Sequence, residues 1–251
     1  MNDNLRLLDA LVDPLLSPLD VLPSGAHVID VACGSGNLDL ELARRRPDLH
    51  ITGIDIDPAV LPKSTENVTF CVMDMTALEF EDAVADAVIS RFGLLNPTAP
   101  AFTHSAQETA RVLAPGGVLS LVAWTNTSDS PYTRIGLEVL RRTPAPVQIP
   151  DLDSVFAESR RPGALEGHLE TAGLNDIKAS RLEWDMEFPS FEDWWQFNTG
   201  LDPLKTVFEA LDKKQLDHAR RTMMDDLVEY RSADGRYRLP ASAHYITARR
   251  S

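Results

Sequence analysis

The sequence predicts an α/β protein with a doubly wound parallel sheet, and two observations support this fold class. Short apolar runs alternate with helical patterns over the first half of the chain, as in strands that are joined by helical crossovers. The first of these runs, residues 28–31, leads directly into a turn that contains Gly34 and Gly36. Because glycine has no Cβ, the backbone of such a turn can lie close to a ligand. The sequence therefore predicts a small-molecule cofactor at the end of the first strand.

The first half of the chain is predicted to contain an N-terminal helix followed by five strands. A helix is expected over residues 4–16, because apolar side chains recur there at spacings of three and four: Leu5, Leu8, Leu11, Val12 and Leu15. Pro18 and Pro23 predict a loop after this helix. Five strands are then expected at the apolar runs 27–32, 50–55, 68–73, 86–91 and 117–124. Helical patterns at 37–46 and 101–113 supply crossovers, which makes the strands parallel.

The connection between the second and third strands is short. Only twelve residues separate Asp55 from Val68, and they include Pro58 and Pro62. Any helix there has one or two turns, since this length is near the minimum for a parallel crossover. We therefore expect one face of the sheet to be thinly covered unless the N-terminal helix or a second subunit lies over it. A homodimer is one option.

The composition changes after Trp124. The segment 141–163 predicts a loop, because it contains four prolines: Pro144, Pro146, Pro150 and Pro162. A helix over 162–173 and a strand over 175–181 follow, and a last strand is expected at 242–248.

The segment 182–238, between these two strands, is rich in aromatic residues. Ser190 is expected to cap a helix whose rings recur at spacings of three and four: Phe191, Trp194 and Trp195. Two interpretations stay open. The rings form a core, or some of them line a pocket for an apolar or aromatic acceptor, for which the candidates are Trp184, Trp194 and Trp195.

Charge and composition exclude several classes of protein. The chain has 38 acidic and 24 basic residues, a net charge of −14, which repels phosphate backbones and disfavours nucleic-acid partners. We find neither a signal-peptide pattern at the start nor an apolar run of membrane-spanning length. The two cysteines, Cys33 and Cys71, suit reduced thiols, with Cys33 lining the turn rather than acting as a nucleophile. We expect a cytoplasmic protein that has a small-molecule partner.

The glycine turn also indicates which cofactor it serves. A dinucleotide fingerprint has a third glycine three positions after the second, where the helix N-terminus receives a pyrophosphate. In this chain that position is Asp39, and Glu41 follows it closely. These acids repel an anionic pyrophosphate but not a sulfonium or an ammonium cation. A nicotinamide-dependent oxidoreductase is therefore disfavoured.

Three segments together resemble a known family. Asp30-Val31-Ala32-Cys33-Gly34-Ser35-Gly36 resembles the first motif of the class I S-adenosylmethionine-dependent methyltransferases. Ser90-Arg91-Phe92-Gly93 resembles a segment of their quinone-type and natural-product members. Arg111-Val112-Leu113-Ala114-Pro115-Gly116-Gly117, a helix end followed by a turn and a strand, completes the resemblance.

This resemblance implies a fold and a domain organisation. It implies one methyltransferase domain over residues 1–251, with a Rossmann-like, mostly parallel sheet of seven strands whose last strand is antiparallel, and a helical C-terminal lid insertion. The cofactor-binding core is expected at 25–125, and the lid or substrate-binding segments at 141–163 and 182–238.

The resemblance and the spacing assign roles around an adenosine. Asp55 lies 19 positions after Gly36 at the end of the second strand, where a carboxylate can accept both ribose hydroxyls or can simply cap the loop. Ile56 is expected to lie against the adenine. By resemblance Asp74 accepts from the adenine amino group, or else it caps the turn after it, while Met75 contacts the ring.

The methionine end of the cofactor has its own candidates. Asp30 resembles the acid of the family that holds the methionine amino group, often through water. The alternative is a solvated acid on the strand, which is disfavoured because an acid inside a core strand is otherwise costly. Arg91 pairs either with the methionine carboxylate or with one of the aspartates. The full set of predicted cofactor-binding residues is Asp30, Ala32, Cys33, Gly34, Gly36, Asp55, Ile56, Asp74, Met75, Ser90 and Arg91.

The resemblance implies methyl transfer from S-adenosyl-L-methionine to a small, aromatic or apolar metabolite, with S-adenosyl-L-homocysteine as product. In such an in-line displacement a general base is optional, and His104 is the one weak candidate. No metal-ligand spacing is found. The alternative is a protein that binds S-adenosylmethionine without transferring the methyl group, as a cyclase or a regulatory binding module.

Overall fold

The computed structural model describes residues 7–94, 99–125, 130–144, 147–149, 151, 161, 163–201 and 204–251. In this part of the chain seven strands form one sheet: β1 (His27–Val31), β2 (His50–Asp55), β3 (Val68–Val72), β4 (Ala85–Arg91), β5 (Leu113–Trp124), β6 (Leu174–Phe188) and β7 (Tyr237–Arg250). The α-helices are α1 (Val12–Leu16), α2 (Asn37–Arg45), α3 (Ala99–Val112), α4 (Pro131–Arg142), α5 (Ala164–Thr171), α6 (Phe191–Thr199), α7 (Leu204–Ala210) and α8 (Lys213–Asp226). None of these helices has both the length and the apolar character needed to cross a membrane.

The strand order of the sheet is β3-β2-β1-β4-β5-β7-β6. The first five strands pair in parallel, and β7 pairs with β5 in antiparallel register. The prediction of a mostly parallel, doubly wound sheet of seven strands is thus confirmed. β1 lies between β2 and β4, so the strand order reverses at its carboxyl end, which is where ligands bind in sheets of this kind.

The chain divides into two compact units. The first, here called the core unit, contains Leu11–Trp124, Phe156–Leu182 and Ala243–Ser251. The second unit contains Met1–Ala10, Thr125–Val155 and Glu183–Ser242. β6 and β7 contribute residues to both units.

Three of the predicted strands are longer than their sequence patterns indicate. β5 begins at Leu113 rather than at 117, so the residues of the expected Pro-Gly-Gly turn lie within the strand. β6 continues past the predicted 175–181 as far as Phe188, and β7 begins at Tyr237 rather than at 242. Buried side chains at every second position explain the extension of β6, at Met186 and Phe188, because alternation favours a strand over a loop. The ends of the predicted lid segment 182–238 are therefore strand.

The N-terminal segment is shorter as a helix than predicted. A 3₁₀ turn at Asp9–Leu11 precedes α1, while residues 4–6, including Leu5, lie outside the described residues. The helix lies over β5 and β7, because Ser120 Oγ donates to Leu15 O at 2.9 Å and Tyr245 Oη donates to Pro14 O at 2.7 Å. Only a turn forms in the short connection after Asp55. Pro146, Pro150 and Pro162 of the predicted loop and helix start also lie outside the described residues.

Candidate cofactor-binding site

The turn after β1 has the left-handed backbone that the glycine pattern predicts. The φ angles are +59° at Ala32, +56° at Gly34 and +68° at Gly36, a region that L-residues with a Cβ adopt at a cost. At Gly36 a Cβ atom would lie 2.5 Å from Cζ of Phe70 and 2.9 Å from Pro62. Glycine is therefore required at this position by space as well as by conformation.

The carboxylate of Asp55 is held in place by the backbone. Its Oδ2 accepts from the N–H of Gly34 at 2.9 Å, and its Oδ1 accepts from the N–H of Asp57 at 3.0 Å. These bonds connect the end of β2 to the glycine turn and orient the carboxylate. Each oxygen keeps a further lone pair for a ligand.

A cavity of about 360 Å³ opens beside these residues. It is lined by Ala32, Ile54, Asp55, Ile56, Met73, Asp74, Met75, Arg91, Phe92 and Gly93. Six predicted residues are thus brought together on one cavity: Ala32, Asp55, Ile56, Asp74, Met75 and Arg91. A second cavity of about 460 Å³ in the core unit, lined by residues such as Ser17, Tyr245 and Arg249, contains none of them.

Four of the lining residues were missed by sequence reasoning. Ile54 directly precedes Asp55, and Met73 directly precedes Asp74. Their position next to predicted ligand-binding acids at strand ends is the sequence signal that could have identified them. Phe92 and Gly93 follow Arg91, and a glycine directly after a strand was the signal for a close turn. A Cβ at Gly93 would lie 2.1 Å from Cβ of Ala32, so the turns after β1 and β4 touch.

Ser90 holds these two turns together without lining the cavity. Its fully buried hydroxyl donates to the carbonyl of Val31 at 2.8 Å and accepts from the N–H of Leu94 at 2.7 Å. Next to it Phe92 has a left-handed backbone, with φ of +67°. The Phe92 ring stacks on that of Trp124, with ring centroids 3.6 Å apart and an interplanar angle of 12°. The wall of the cavity is therefore stiffened by an aromatic pair.

Asp74 lies exposed at the end of β3 and caps the turn that follows. Its Oδ1 accepts from the backbone N–H of Thr76 at 2.8 Å and from the Thr76 hydroxyl at 2.7 Å. These two hydrogen bonds lower the pKa of Asp74. The capping role is observed, and Asp74 also lines the cavity.

Two acids are buried behind the glycine turn. Asp30 is 1% exposed and Asp39 is 0% exposed. Burial raises the pKa of Asp30 well above its ordinary value, and the nearby charge of Asp39 raises it further. Burial also raises the pKa of Asp39, to about 7, although hydrogen bonding with Asp30 acts in the opposite direction.

Arg91 is the basic residue among those that line the cavity. Its charge lowers the pKa of both Asp30 and Asp39. The guanidinium has no hydrogen bond or ion pair with any residue in the described part of the chain. Its five N–H donors can therefore serve a bound anion.

The remaining candidates lie away from the cavity or have a structural role. Cys33 is buried, and burial raises the pKa of its thiol, so the sulfur is not an activated nucleophile. His104 is exposed on α3 and does not line the cavity. Neither residue supplies a general base to the described cavity.

The three tryptophan candidates belong to the second unit. Trp194 is fully buried and Trp195 is 8% exposed, while half-buried Trp184 donates its Nε1–H to the carbonyl of Leu7 at 2.8 Å. The side chain of Ser190 accepts from the N–H of Asp193, so the predicted helix cap forms. Phe191 packs on both α6 tryptophans, with ring centroids 5.9 and 6.1 Å away. Phe191, Trp194 and Trp195 are therefore packed together in the interior of this unit.

The strand order, the glycine turn and the acids at the ends of β2 and β3 define a class of protein. The chain has the Rossmann-like fold of the class I methyltransferases. Residues 28–117 match a family model described as "Methyltransferase domain". Residues 28–117 therefore carry a methyltransferase domain, which agrees with the sequence resemblance.

Relatives of known name support this assignment. The chain is 32% identical over 188 residues to the 2-methyl-6-phytyl-1,4-hydroquinone methyltransferase of Synechocystis sp., an alignment that covers 71% of this chain and 56% of that relative. The chain spans about half the length of the curated relatives it matches.

Solved structures show the same fold. The YcgJ protein of Bacillus subtilis superposes with a TM-score of 0.59 at 16% identity, over 96% of this chain and 98% of that one. Phosphoethanolamine N-methyltransferase 2 of Haemonchus contortus, solved in complex with S-adenosyl-L-methionine, superposes with a TM-score of 0.55 at 17% identity, over 96% of this chain and 52% of that one.

Proposed function

We propose that this protein binds S-adenosyl-L-methionine in the cavity beside Asp55 and transfers its methyl group to a small aromatic or apolar acceptor by in-line displacement. The observation that carries the proposal is the fixed carboxylate of Asp55, which lies on a cavity together with an apolar residue and a second acid, Ile56 and Asp74. When bound, the cofactor supplies an electrophilic methyl group and leaves as S-adenosyl-L-homocysteine.

The lining residues fit the parts of this cofactor. Asp55 keeps lone pairs for two ribose hydroxyls, in the position that suits this role at the end of β2. Ile56 and Met75 offer apolar surface to an adenine ring, and Asp74 offers an acceptor to its amino group. Arg91 offers donors to a carboxylate at the methionine end.

The chain itself is expected to contribute positioning rather than acid–base chemistry. No histidine lines the described cavity, and a displacement at a methyl group gains most of its acceleration from alignment and exclusion of water. The stiff wall formed by Phe92 and Trp124 is suited to holding a reacting group in one orientation. A phenolic acceptor can release its proton to water, so a base from the protein is optional.

The acceptor class is inferred from a relative. The Synechocystis relative is named for a hydroquinone with a phytyl chain, which is both aromatic and apolar. We propose a hydroquinone or similar phenolic ring as the acceptor of this protein. The aromatic segment of the second unit stays a prediction for its binding region, as does a homodimer for its assembly.

Calorimetric titration tests the cofactor with a matched pair of variants. Asp55→Ala is expected to weaken S-adenosylhomocysteine binding at least tenfold, because two hydrogen bonds to a charged group are lost, each worth about 1.5–3 kcal/mol. Asp57→Ala removes a neighbouring exposed carboxylate that does not line the cavity, and is expected to change the affinity less than twofold. Equal affinities for the two variants would contradict the assignment of Asp55.

Product formation tests the transfer itself. Incubation with S-adenosylmethionine and a series of alkylated hydroquinones is expected to release S-adenosylhomocysteine with at least one of them. Tight cofactor binding without product across phenolic, amine and carbon acceptors would favour a non-methylating binding protein. Tight binding of a nicotinamide dinucleotide, with no response to S-adenosylmethionine, would overturn the proposal as a whole.

A further inference from the structure

The helix α8 of the second unit has charges at its two ends that oppose its own dipole. Lys213 and Lys214 lie in its first turn, and Asp225 and Asp226 lie in its last turn. Because the N-terminus of a helix is partly positive and its C-terminus partly negative, bases at the start and acids at the end are destabilising. The stability of the helix therefore does not explain this arrangement, which is expected where the residues serve an interaction.

The same charges lie on one exposed face of α8. The helix packs on α4, and its buried side chains are Ala219 and Met223. The opposite side of the helix is exposed and carries Lys213, Lys214, Asp217, Arg221, Met224 and Asp225. None of the charged side chains in this set forms a salt bridge or a side-chain hydrogen bond with another described residue. The face is therefore free to contact a second molecule.

The charges on this face are symmetric in position and opposite in sign. Positions 213 and 225 are each six residues from position 219, and positions 217 and 221 are each two residues from it. Each of these pairs contains one base and one acid: Lys213 with Asp225, and Arg221 with Asp217. When two copies of the helix lie antiparallel about a two-fold axis at the level of position 219, each base of one copy faces an acid of the other.

We propose that the exposed face of α8 is the contact between two copies of this chain, which pair antiparallel in a two-fold dimer. Lys213 of each copy lies against Asp225 of the second copy, and Arg221 lies against Asp217 of the second copy. At a crossing angle of about 20° between the helices, these long side chains span the distance between them. The pairing does not depend on the proposed methyl transfer.

The size of the face predicts a weak dimer. A helix of 14 residues is about 21 Å long, so a contact made by one of its faces lies at the small end of specific interfaces. Met224 is 41% exposed and adds apolar area where it meets the aliphatic part of Lys214 of the second copy. We expect a dissociation constant above about 1 μM.

Charge reversal tests the antiparallel arrangement, because this arrangement predicts which variants associate with each other. Lys213→Glu combined with Lys214→Glu places acids against Asp225 of the second copy. Asp225→Lys places a base against Lys213 and Lys214 of the second copy. Each variant alone is expected to dimerise at least tenfold more weakly than wild type in sedimentation velocity. A mixture of the two is expected to form a heterodimer, and a chain with all three substitutions is expected to dimerise within threefold of wild type.

Loss of folding and change of net charge are both controlled. The two variants place charges where the helix dipole favours them, so their free energies of unfolding are expected to equal or exceed that of wild type. The matched control combines Lys63→Glu with Lys178→Glu, which changes the net charge as much as the double lysine variant of α8. Both control residues are exposed in the core unit, and the dissociation constant is expected to stay within threefold of wild type.

The rescue by exchanged charges distinguishes this interface from other contacts. Absence of the heterodimer, or loss of association in the core-unit control alone, would overturn the assignment to α8. Wild-type protein that stays monomeric up to about 1 mM would overturn the dimer itself. Binding to phosphatidylglycerol vesicles that is lost with Lys213→Glu and Lys214→Glu would in that case assign the face to an anionic lipid surface. All of these outcomes leave the proposed function standing.

Discussion

At the residue scale, Asp39 is the side chain that is least expected at its position. It occupies the place of the third glycine of a dinucleotide fingerprint, yet it is a fully buried acid. A buried carboxyl without donors opposes folding when it is charged, so the fold retains it at a cost in stability. A residue that destabilises the fold without a compensating contact is expected to lie at a functional site.

The cost of burying Asp39 is expected to appear in the pH dependence of stability. Its pKa rises from 3.8 to about 7 on folding, so the native state keeps a proton that the unfolded chain loses between these values. The stability that this proton provides is present below about pH 4 and is lost as the pH rises to about 7. Asp39→Asn, which stays neutral, is therefore expected to unfold with a free energy about 2–4 kcal/mol higher than wild type at pH 7.5 and about equal at pH 4.

Denaturant unfolding of the ligand-free protein from pH 4 to 8 measures this difference. Glu41→Gln is the control, because hydrogen bonds from Arg44 and Arg45 lower the pKa of Glu41 to about 2. Its contribution is present above about pH 4.5 and is lost only toward pH 2, the opposite sign. A difference between Asp39→Asn and wild type that does not vary from pH 4 to 8 would contradict the raised pKa.

Single residues also show where sequence reasoning reached its limit. The spacing from Gly36 located Asp55, and the structure places it on the cavity. The spacing could not show that the N–H groups of Gly34 and Asp57 fix both of its oxygens, because that depends on how two strand ends meet. The role of Ser90 as a bridge between turns was hidden for the same reason.

At the scale of elements, the first turn and the third strand fit each other. Phe70 of β3 packs against Gly36 at the start of α2 and against Gly53 of β2, where added Cβ atoms would lie 2.5 and 2.8 Å from its ring. The ring therefore helps to cover the region where the short connection after Asp55 supplies no helix. The sequence indicated the missing helix but not its replacement.

The fit at this turn predicts different effects for two glycine substitutions. Gly36→Ala is expected to lower the free energy of unfolding by about 2–4 kcal/mol, since a strained φ and a clash with Phe70 add together. Gly25→Ala has a similar φ of +80° but open space around its Cβ, so only about 1–2 kcal/mol of backbone strain is expected. S-adenosylhomocysteine binding is expected to weaken for Gly36→Ala alone, and similar losses of stability for both variants would contradict the clash.

The lengths of elements were less predictable than their order. The succession of elements along the chain and the parallel core followed from alternating patterns in residues 27–124, whereas the order of the strands in the sheet is known only from the structure. β6 and β7 exceed their predicted bounds because the alternation of buried and exposed side chains continues into their outer parts, at Met186 and Phe188 of β6 and at Tyr237 and Leu239 of β7. The predicted segments 141–163 and 182–238 showed no regular spacing of apolar residues that could locate the ends of these strands.

At the scale of the whole molecule, the two units carry different kinds of residue. The predicted cofactor-binding residues that line the cavity all belong to the core unit, whereas Trp184, Trp194 and Trp195 belong to the second unit. The core unit contains the remaining tryptophan, Trp124. Tryptophan fluorescence therefore reports mainly on the second unit, while ligand binding reports on the core unit.

Because of this separation, removal of the Trp194 ring is expected to lower stability and to leave cofactor binding unchanged. The side chain is fully buried and packs on Phe191, so Trp194→Ala is expected to destabilise the second unit by about 3–5 kcal/mol, as for other large core residues. Trp184→Phe is the control, because this half-buried residue loses chiefly one hydrogen bond, to Leu7, worth about 1 kcal/mol. Fluorescence-detected unfolding is expected to shift strongly only for Trp194→Ala, while the S-adenosylhomocysteine affinity of both variants stays within twofold. Normal stability of Trp194→Ala together with a raised KM for a hydroquinone acceptor would instead assign the ring to the acceptor pocket, because a residue that only packs a core changes unfolding before it changes substrate recognition.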